Sequence, residues 1–125
     1  APTAFATWNA KPVLDAQGRP AVAFLDGPRM FVARGDAAGQ WQAPVLVSGT
    51  QAVYYPALGG DAAGNLVAAW QVLDASNLGS IWSSRTGADG AWSAPGRLSA
   101  PSAAAGWPGV AVSDDGSVAF VAWVD

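Results

Sequence analysis

The hexapeptide GQWQAP at residues 39–44 is written a second time as GAWSAP at residues 90–95, which lie 51 positions further along the chain. Two flanking positions keep the same offset, in the pairs Arg34 with Arg85 and Ser48 with Ser99. The chain therefore contains an internal repeat. In a sequence rich in strand-forming residues, a period of about 40 to 50 residues is typical of the blades of a β-propeller.

The composition favours short strands joined by tight turns. All nine acidic residues are Asp, Lys occurs once, and Gly and Pro together fill 24 of the 125 positions. Glu and Lys favour helices, whereas Gly, Pro and Asp form turns. With 51% hydrophobic residues, the chain has enough apolar content for the core of one ordinary domain. We therefore expect a single all-β domain.

Residue types that the chain lacks exclude several functions. The net charge is −3 and no run of Lys or Arg occurs, so the electrostatic signature of a nucleic-acid binder is missing. Without Cys or His, zinc, copper and iron–sulfur sites are excluded, as are Cys nucleophiles and His bases. A calcium loop of the D-x-D-x-D-G type is also absent, so we expect no metal and no cofactor.

The longest apolar run is far too short to cross a bilayer, so we expect no membrane insertion. The chain opens on Ala-Pro-Thr without an initiator Met, which fits either removal of a signal peptide or a sequence trimmed at its start. We therefore expect an exported protein that is secreted, periplasmic or held at the cell surface.

Each repeat is predicted to form a meander of four strands, A to D. Strand A opens with a Pro, a residue that a strand tolerates at its first position, and a turn rich in Asp and Gly leads to strand B. The opening pairs are Lys11-Pro12, Tyr55-Pro56 and Trp107-Pro108, and the turns occupy residues 15–18, 61–64 and 113–116. Strand C is expected at residues 30–34 and 80–85, and each copy runs on into the hexapeptide of strand D. The chain then reads D, ABCD, ABCD, AB.

This order predicts β-propeller blades, each a four-stranded antiparallel meander, in one domain over residues 1–125. About two and a half repeats are present, with boundaries near 1–39, 40–90 and 91–125. A meander cannot bury both apolar faces alone, whereas radially stacked sheets cover one another. The recurring aromatics Phe24, Trp41, Trp70, Trp92 and Trp123 are expected to pack between sheets. A β-sandwich of the same strands is the alternative, although it would not demand a strict repeat.

A propeller normally closes with four or more blades. We therefore expect either a homo-oligomer or a place in a longer propeller chain, since apolar edge strands left open invite association.

The repeat resembles the sialidase-like, Asp-box-related blades of exported bacterial proteins. The resemblance rests on DAAGN at residues 61–65, Trp70, Arg85 and GAWSAP at residues 90–95. It implies a propeller fold, and it brings to mind a glycosidase with a Tyr nucleophile, a Glu that activates it, an Asp acid/base and three Arg residues. This chain has no Glu, and Arg34 and Arg85 occupy equivalent repeat positions. We therefore expect a non-catalytic protein, with a fragment of a sialidase-like glycosidase as one alternative.

A ligand is expected at the end of the sheets where the connections are long and irregular. In an antiparallel meander, the B-to-C and D-to-A connections share one end, and the regular A-to-B and C-to-D turns share the other. The irregular connections combine aromatic rings with amide and carboxylate groups, which suits the apolar faces and hydroxyls of sugars. The predicted ligand-binding residues are Trp8, Asn9, Tyr54, Tyr55, Gln71, Asp74, Asn77 and Trp107.

These residues predict lectin-like recognition of a glycan or another polar small ligand. The other interpretation is that the aromatics close the end of the core, in a propeller with a structural or protein-interaction role.

Overall fold

The computed structural model describes residues 7–87, 89–101 and 104–125, with side chains from Asn9 onward. Within these residues all regular secondary structure is β-strand, which confirms the all-β class. The strands are β1 (Thr7–Leu14), β2 (Pro20–Asp26), β3 (Arg29–Arg34), β4 (Val45–Leu46), β5 (Val53–Gly60), β6 (Leu66–Leu73), β7 (Gly79–Arg85), β8 (Gly96–Arg97), β9 (Gly106–Val112) and β10 (Ala119–Val124).

The strands form three antiparallel sheets in chain order. The first sheet contains β1 to β4, the second contains β5 to β8, and the third contains β9 and β10. This is the predicted order ABCD, ABCD, AB, and the further D segment predicted at the start of the chain lies mostly outside the described residues. The sheets divide at residues 47–52 and 98–105, whereas the sequence boundaries near 40 and 90 fall ahead of strand D.

Strand D is much shorter than the repeated hexapeptide. Trp41 makes one bridge to Gly35, Trp92 makes one to Thr86, and the two-residue strands β4 and β8 begin only after the Pro. Pro has no N–H for a ladder hydrogen bond, so the hexapeptide cannot continue as a regular strand.

A β-bulge interrupts each strand A at the same place. In β1, Trp8 lies opposite Leu25 and Lys11 opposite Ala23, so two residues of β1 face one residue of β2. The same irregularity separates Tyr54 from Ala57 in β5. The third copy lies in β9, opposite the segment from Ala122 to Val124.

Counted back from the A-to-B turn, the equivalent bulge residues are Asn9, Tyr55 and Trp107. The alignment of Pro12 with Pro56 and Pro108 is therefore wrong by two residues.

Alternate residues of β5 face the first and the third sheet. A Cβ on Gly60 would lie 3.7 Å from Cγ2 of Val13 in β1, and one on Gly59 would lie 2.7 Å from Cγ1 of Val110 in β9. The second sheet therefore lies between the other two, with close contact on both faces.

Consecutive sheets are joined by the same backbone hydrogen bonds at both junctions. At the A-to-B turns, the Ala16 N–H donates to the Ala62 carbonyl at 3.1 Å, and the Ala62 N–H donates to the Asp114 carbonyl at 2.9 Å. At the other end, the Val53 N–H donates to the Pro28 carbonyl at 2.7 Å, and the Ala105 N–H donates to the Gly79 carbonyl at 2.9 Å. The second junction thus repeats the first.

The structure explains the repeated Ser and corrects the role of one Trp. The buried hydroxyls of Ser48 and Ser99 accept the backbone N–H groups of Met30 and Ile81, each at 3.0 Å. A buried N–H without a partner is costly, so strand C needs these hydroxyls where strand D has ended.

Among the recurring aromatics, Phe24 and Trp70 are buried, but Trp41 is 45% exposed and does not pack between sheets as predicted.

Candidate functional site

The end of the sheets that carries the B-to-C and D-to-A connections is called the loop end. Two of the predicted ligand-binding residues meet there, where consecutive sheets lie side by side. The ring centroids of Tyr55 in β5 and Trp107 in β9 are 5.5 Å apart, with 47° between the ring planes. Tyr55 is 41% exposed and Trp107 is 63% exposed, so solvent reaches both rings. The pair forms an exposed aromatic surface across the junction of the second and third sheets.

The backbone beneath this pair is strained. Tyr55 and Trp107 both have φ of 49°, in the left-handed region that glycine adopts freely and large side chains rarely adopt. Such a conformation costs about 1–3 kcal/mol per residue and persists only where the surrounding structure enforces it. Gly would relieve the strain at this kind of bulge, so stability alone does not account for large aromatic side chains there.

Three other predicted residues, Trp8, Asn9 and Tyr54, lie at or beside the bulges of the first two sheets. Asn9 is the equivalent of Tyr55 in the first sheet, with φ of 60°, and Asn tolerates this conformation better than other residues. Tyr54 is 39% exposed and lies opposite Gln71 in the β5–β6 ladder. The backbone of Trp8 pairs with Leu25, and its side chain lies outside the described part.

Gln71 has a different task from the one predicted. Its side chain is buried, and Nε2 donates to the Ala105 carbonyl at 2.9 Å. Ala105 stands two residues before Trp107, so this bond fixes the backbone that leads into the bulge. Gln71 therefore acts as a positioning residue for Trp107, and one of the two N–H groups of its buried amide is bonded to Ala105.

Asp74 and Asn77 shape the B-to-C turn of the second sheet. Oδ1 of Asp74 accepts the backbone N–H groups of Ser76 at 2.8 Å and Leu78 at 2.9 Å. Asn77 has φ of 61°, and its N–H donates to the Asp74 carbonyl at 3.0 Å. Within the described residues, neither side chain hydrogen-bonds to Tyr55 or Trp107. Their local role is turn formation, as at Asp15 and Asp61.

Gln51, in the D-to-A connection, also supports this end of the structure. Its Oε1 accepts the indole N–H of the fully buried Trp70 at 3.1 Å. A buried Trp usually needs such an acceptor, and this requirement is the sequence signal for the structural role of Gln51.

A polar cleft of about 550 Å³ lies at the opposite end, between the A-to-B turns of the first two sheets. Its charged lining residues are Asp15, Arg19, Arg34, Asp36, Asp61 and Asp89. Nη2 of Arg19 donates to the Ala63 carbonyl at 2.9 Å, and Nη1 of Arg34 donates to the Gly64 carbonyl at 2.7 Å. Both guanidinium groups therefore tie the first sheet to the second turn.

The carboxylates of the A-to-B turns stabilise these turns when the carboxylates are ionised. The side-chain amide of Asn65, followed by backbone N–H groups, holds the pKa of Asp61 below its usual value. Hydrogen bonds from Ser117, with a further bond from the Ser113 hydroxyl, lower the pKa of Asp115 to about 2. Hydrogen bonds to a charged carboxylate favour ionisation, so protonation would weaken these turns.

Acidification should therefore destabilise the protein. The unfolded-state pKa of Asp is about 3.9, above the folded value of about 2 for Asp115. The contribution of ionised Asp115 to the free energy of unfolding is fully present above about pH 4, and it is lost as the pH falls towards 2. We expect Asp115→Asn to lose less stability than the wild type between these pH values, measured by urea unfolding. Identical losses would contradict this role of Asp115.

Comparison with models of known families, with characterised proteins and with solved structures found no match to this chain. Among the described residues, no group of three or more acidic side chains is arranged to hold a metal ion. Nor do those residues form a helix with the length and apolar character that crossing a membrane requires.

Proposed function

We propose that this protein is a non-catalytic binding module of the β-propeller type, which recognises carbohydrate at its loop end. The observation that carries the proposal is the exposed Tyr55–Trp107 pair, held on strained backbone at the junction of two sheets.

The repeated junction supports the propeller architecture. The two junctions use the same backbone hydrogen bonds at both ends of the sheets, so each step from one sheet to the next is alike. In a β-sandwich two sheets cover each other with one face each, whereas the second sheet here has a neighbour on both faces. A repeated step between four-stranded meanders is the basis of radial stacking.

The geometry of the aromatic pair favours a sugar that stacks on the rings. At a centroid separation of 5.5 Å, the rings touch each other, so a ligand lies across them and not between them. The apolar C–H face of a pyranose fits such a platform, and its hydroxyls can reach polar groups at the rim. The Tyr54 and Tyr55 hydroxyls and the Asn9 amide are candidates for those contacts.

The carboxylates available at the loop end favour a binding role without catalysis. Glycosidases that use paired acids need two free carboxyl groups across one bond. Oδ1 of Asp74, the carboxylate predicted for this end, accepts two backbone N–H groups of its turn, and the chain has no Glu.

Alanine variants of the two rings test the proposal. We expect Trp107→Ala and Tyr55→Ala each to weaken glycan binding about thirtyfold, which corresponds to about 2 kcal/mol for a central aromatic contact. Trp41→Ala is the matched control, because Trp41 is 45% exposed and lies at the opposite end of the sheets. Binding would be measured on a glycan array and then by calorimetry.

Unchanged binding in both ring variants, or an equal loss in Trp41→Ala, would contradict the site. Failure of the wild type to bind any glycan on the array would contradict carbohydrate as the ligand. Release of free sugar from a bound glycan would contradict the absence of catalysis.

A further inference from the structure

One residue of each sheet occupies the same bulge at the loop end. These residues are Asn9, Tyr55 and Trp107, with φ of 60°, 49° and 49°, and together they are called the bulge row. Because all three share the left-handed backbone of the bulge, each sheet presents its bulge side chain in the same way. The row therefore runs across the sheets, with one side chain for each sheet.

The step along the bulge row is the same at both junctions. Two residues before Tyr55, the Val53 N–H donates to a carbonyl of the first sheet at 2.7 Å. Two residues before Trp107, the Ala105 N–H donates to a carbonyl of the second sheet at 2.9 Å. Tyr55 therefore stands to Asn9 as Trp107 stands to Tyr55, and a ligand that crosses one junction is led towards the other.

The two rings of the bulge row face different directions. Their planes are inclined by 47° and their centroids are 5.5 Å apart. A pyranose stacks on an aromatic ring with its C–H face nearly parallel to the ring plane, so one pyranose cannot stack on both rings. A ligand that covers both rings must have two flat units joined at an angle.

The middle position of the row is open to a ligand. Tyr55 belongs to the second sheet, which has a neighbour on both faces, and its side chain is still 41% exposed. Its ring therefore meets solvent at the loop end, and packing between sheets does not occupy it. Beyond it lies Asn9, whose amide can both donate and accept hydrogen bonds.

We infer that the site takes a linear oligosaccharide that lies across the sheets, with one sugar unit on Trp107, the next on Tyr55 and a third at Asn9. The inference rests on the carbohydrate recognition proposed above, and it adds the length and the direction of the ligand. Two pyranoses joined by a glycosidic bond have two flat faces that can be inclined to each other, as the two rings require.

The dependence of binding on ligand length tests this inference. The probes are cello-, malto-, chito- and xylo-oligosaccharides of one, two and three sugar units, and NMR titration of the Trp107 indole N–H gives each dissociation constant. In a series that binds, we expect the disaccharide to bind about thirtyfold more tightly than the monosaccharide, the factor for one central aromatic contact. The trisaccharide should gain about a further fivefold, as for one neutral hydrogen bond.

Variants assign each gain to one residue. Tyr55→Ala should remove the gain from one unit to two and leave binding of the monosaccharide unchanged. Tyr55→Leu keeps a bulky side chain without a flat ring and should lose the same gain. Asn9→Gly should remove only the gain from two units to three, and Gly suits the positive φ there. Trp41→Ala is the control and should keep both gains, because Trp41 lies at the opposite end of the sheets.

A monosaccharide that binds as tightly as its disaccharide would overturn the inference and leave carbohydrate recognition standing. Equal losses of monosaccharide and disaccharide binding in both Tyr55 variants would also overturn it, since one sugar would then cover both rings. A third unit whose gain persists in Asn9→Gly would overturn the position at Asn9. If no sugar of any length shifts the Trp107 signal, the proposed function fails together with the inference.

Discussion

Trp70→Ala is expected to lower the free energy of unfolding by about 3–5 kcal/mol, the range for truncating a large buried aromatic residue. Trp70 is 0% exposed and belongs to the cluster that joins the first two sheets, with Leu25, Met30 and Leu66 among its members. The substitution leaves a cavity that the neighbouring strands cannot fill, and it removes the hydrogen bond to Gln51.

Two further variants separate the causes of this loss. Trp70→Phe should cost less, because Phe24 occupies the equivalent position of the first sheet and only the indole N–H and part of the volume are lost. Trp41→Ala should cost about 1 kcal/mol or less, because Trp41 is 45% exposed. Urea unfolding followed by circular dichroism measures all three. A loss for Trp70→Ala no larger than that for Trp41→Ala would contradict the placement of the core.

Gly79→Ala is expected to disrupt the junction between the second and third sheets. A Cβ at Gly79 would overlap the Ala105 carbonyl oxygen and Nε2 of Gln71, which are joined by a hydrogen bond. The carbonyl belongs to the backbone and cannot turn aside, so the start of β9 has to shift. Overpacking of this kind costs about 1–3 kcal/mol, and backbone displacement places this variant at the upper end.

The same shift should weaken ligand binding, because the Gln71–Ala105 bond positions Trp107. Gly96→Ala is the matched control, since a Cβ there meets nothing within 4 Å and the backbone is not left-handed. We expect that control to change stability by less than about 0.5 kcal/mol. Unfolding and glycan binding measured on both variants give the comparison, and equal effects would contradict the close approach at Gly79.

The strand order could be predicted because its signals are local. Asp15 and Asp61 each accept two backbone N–H groups within their own turns, so the turn chemistry is contained in a few neighbouring residues. Asp74 follows the same rule in the B-to-C turn. An Asx turn forms equally well at either end of a sheet, so the sequence alone does not separate turn formation from ligand contact at Asp74.

The bulges could not be predicted, because their residues share no chemical type. Asn9, Tyr55 and Trp107 are equivalent only in their distance from the A-to-B turn and in their positive φ. The neighbouring Pro residues favour a different alignment, since Pro12 lies three positions after Asn9, whereas Pro56 directly follows Tyr55. The role of Gln71 was equally hidden, because its partner Ala105 belongs to the next sheet.

The most direct test of the Tyr55–Trp107 platform is the indole N–H region of an NMR spectrum during titration with a bound glycan. We expect the Trp107 signal, assigned by its loss in Trp107→Phe, to shift as the glycan saturates. The signals of Trp41 and Trp70 should stay unchanged, since one lies at the opposite end and the other is buried. A saturating shift at Trp41 with none at Trp107 would contradict the assignment of the loop end as the binding surface.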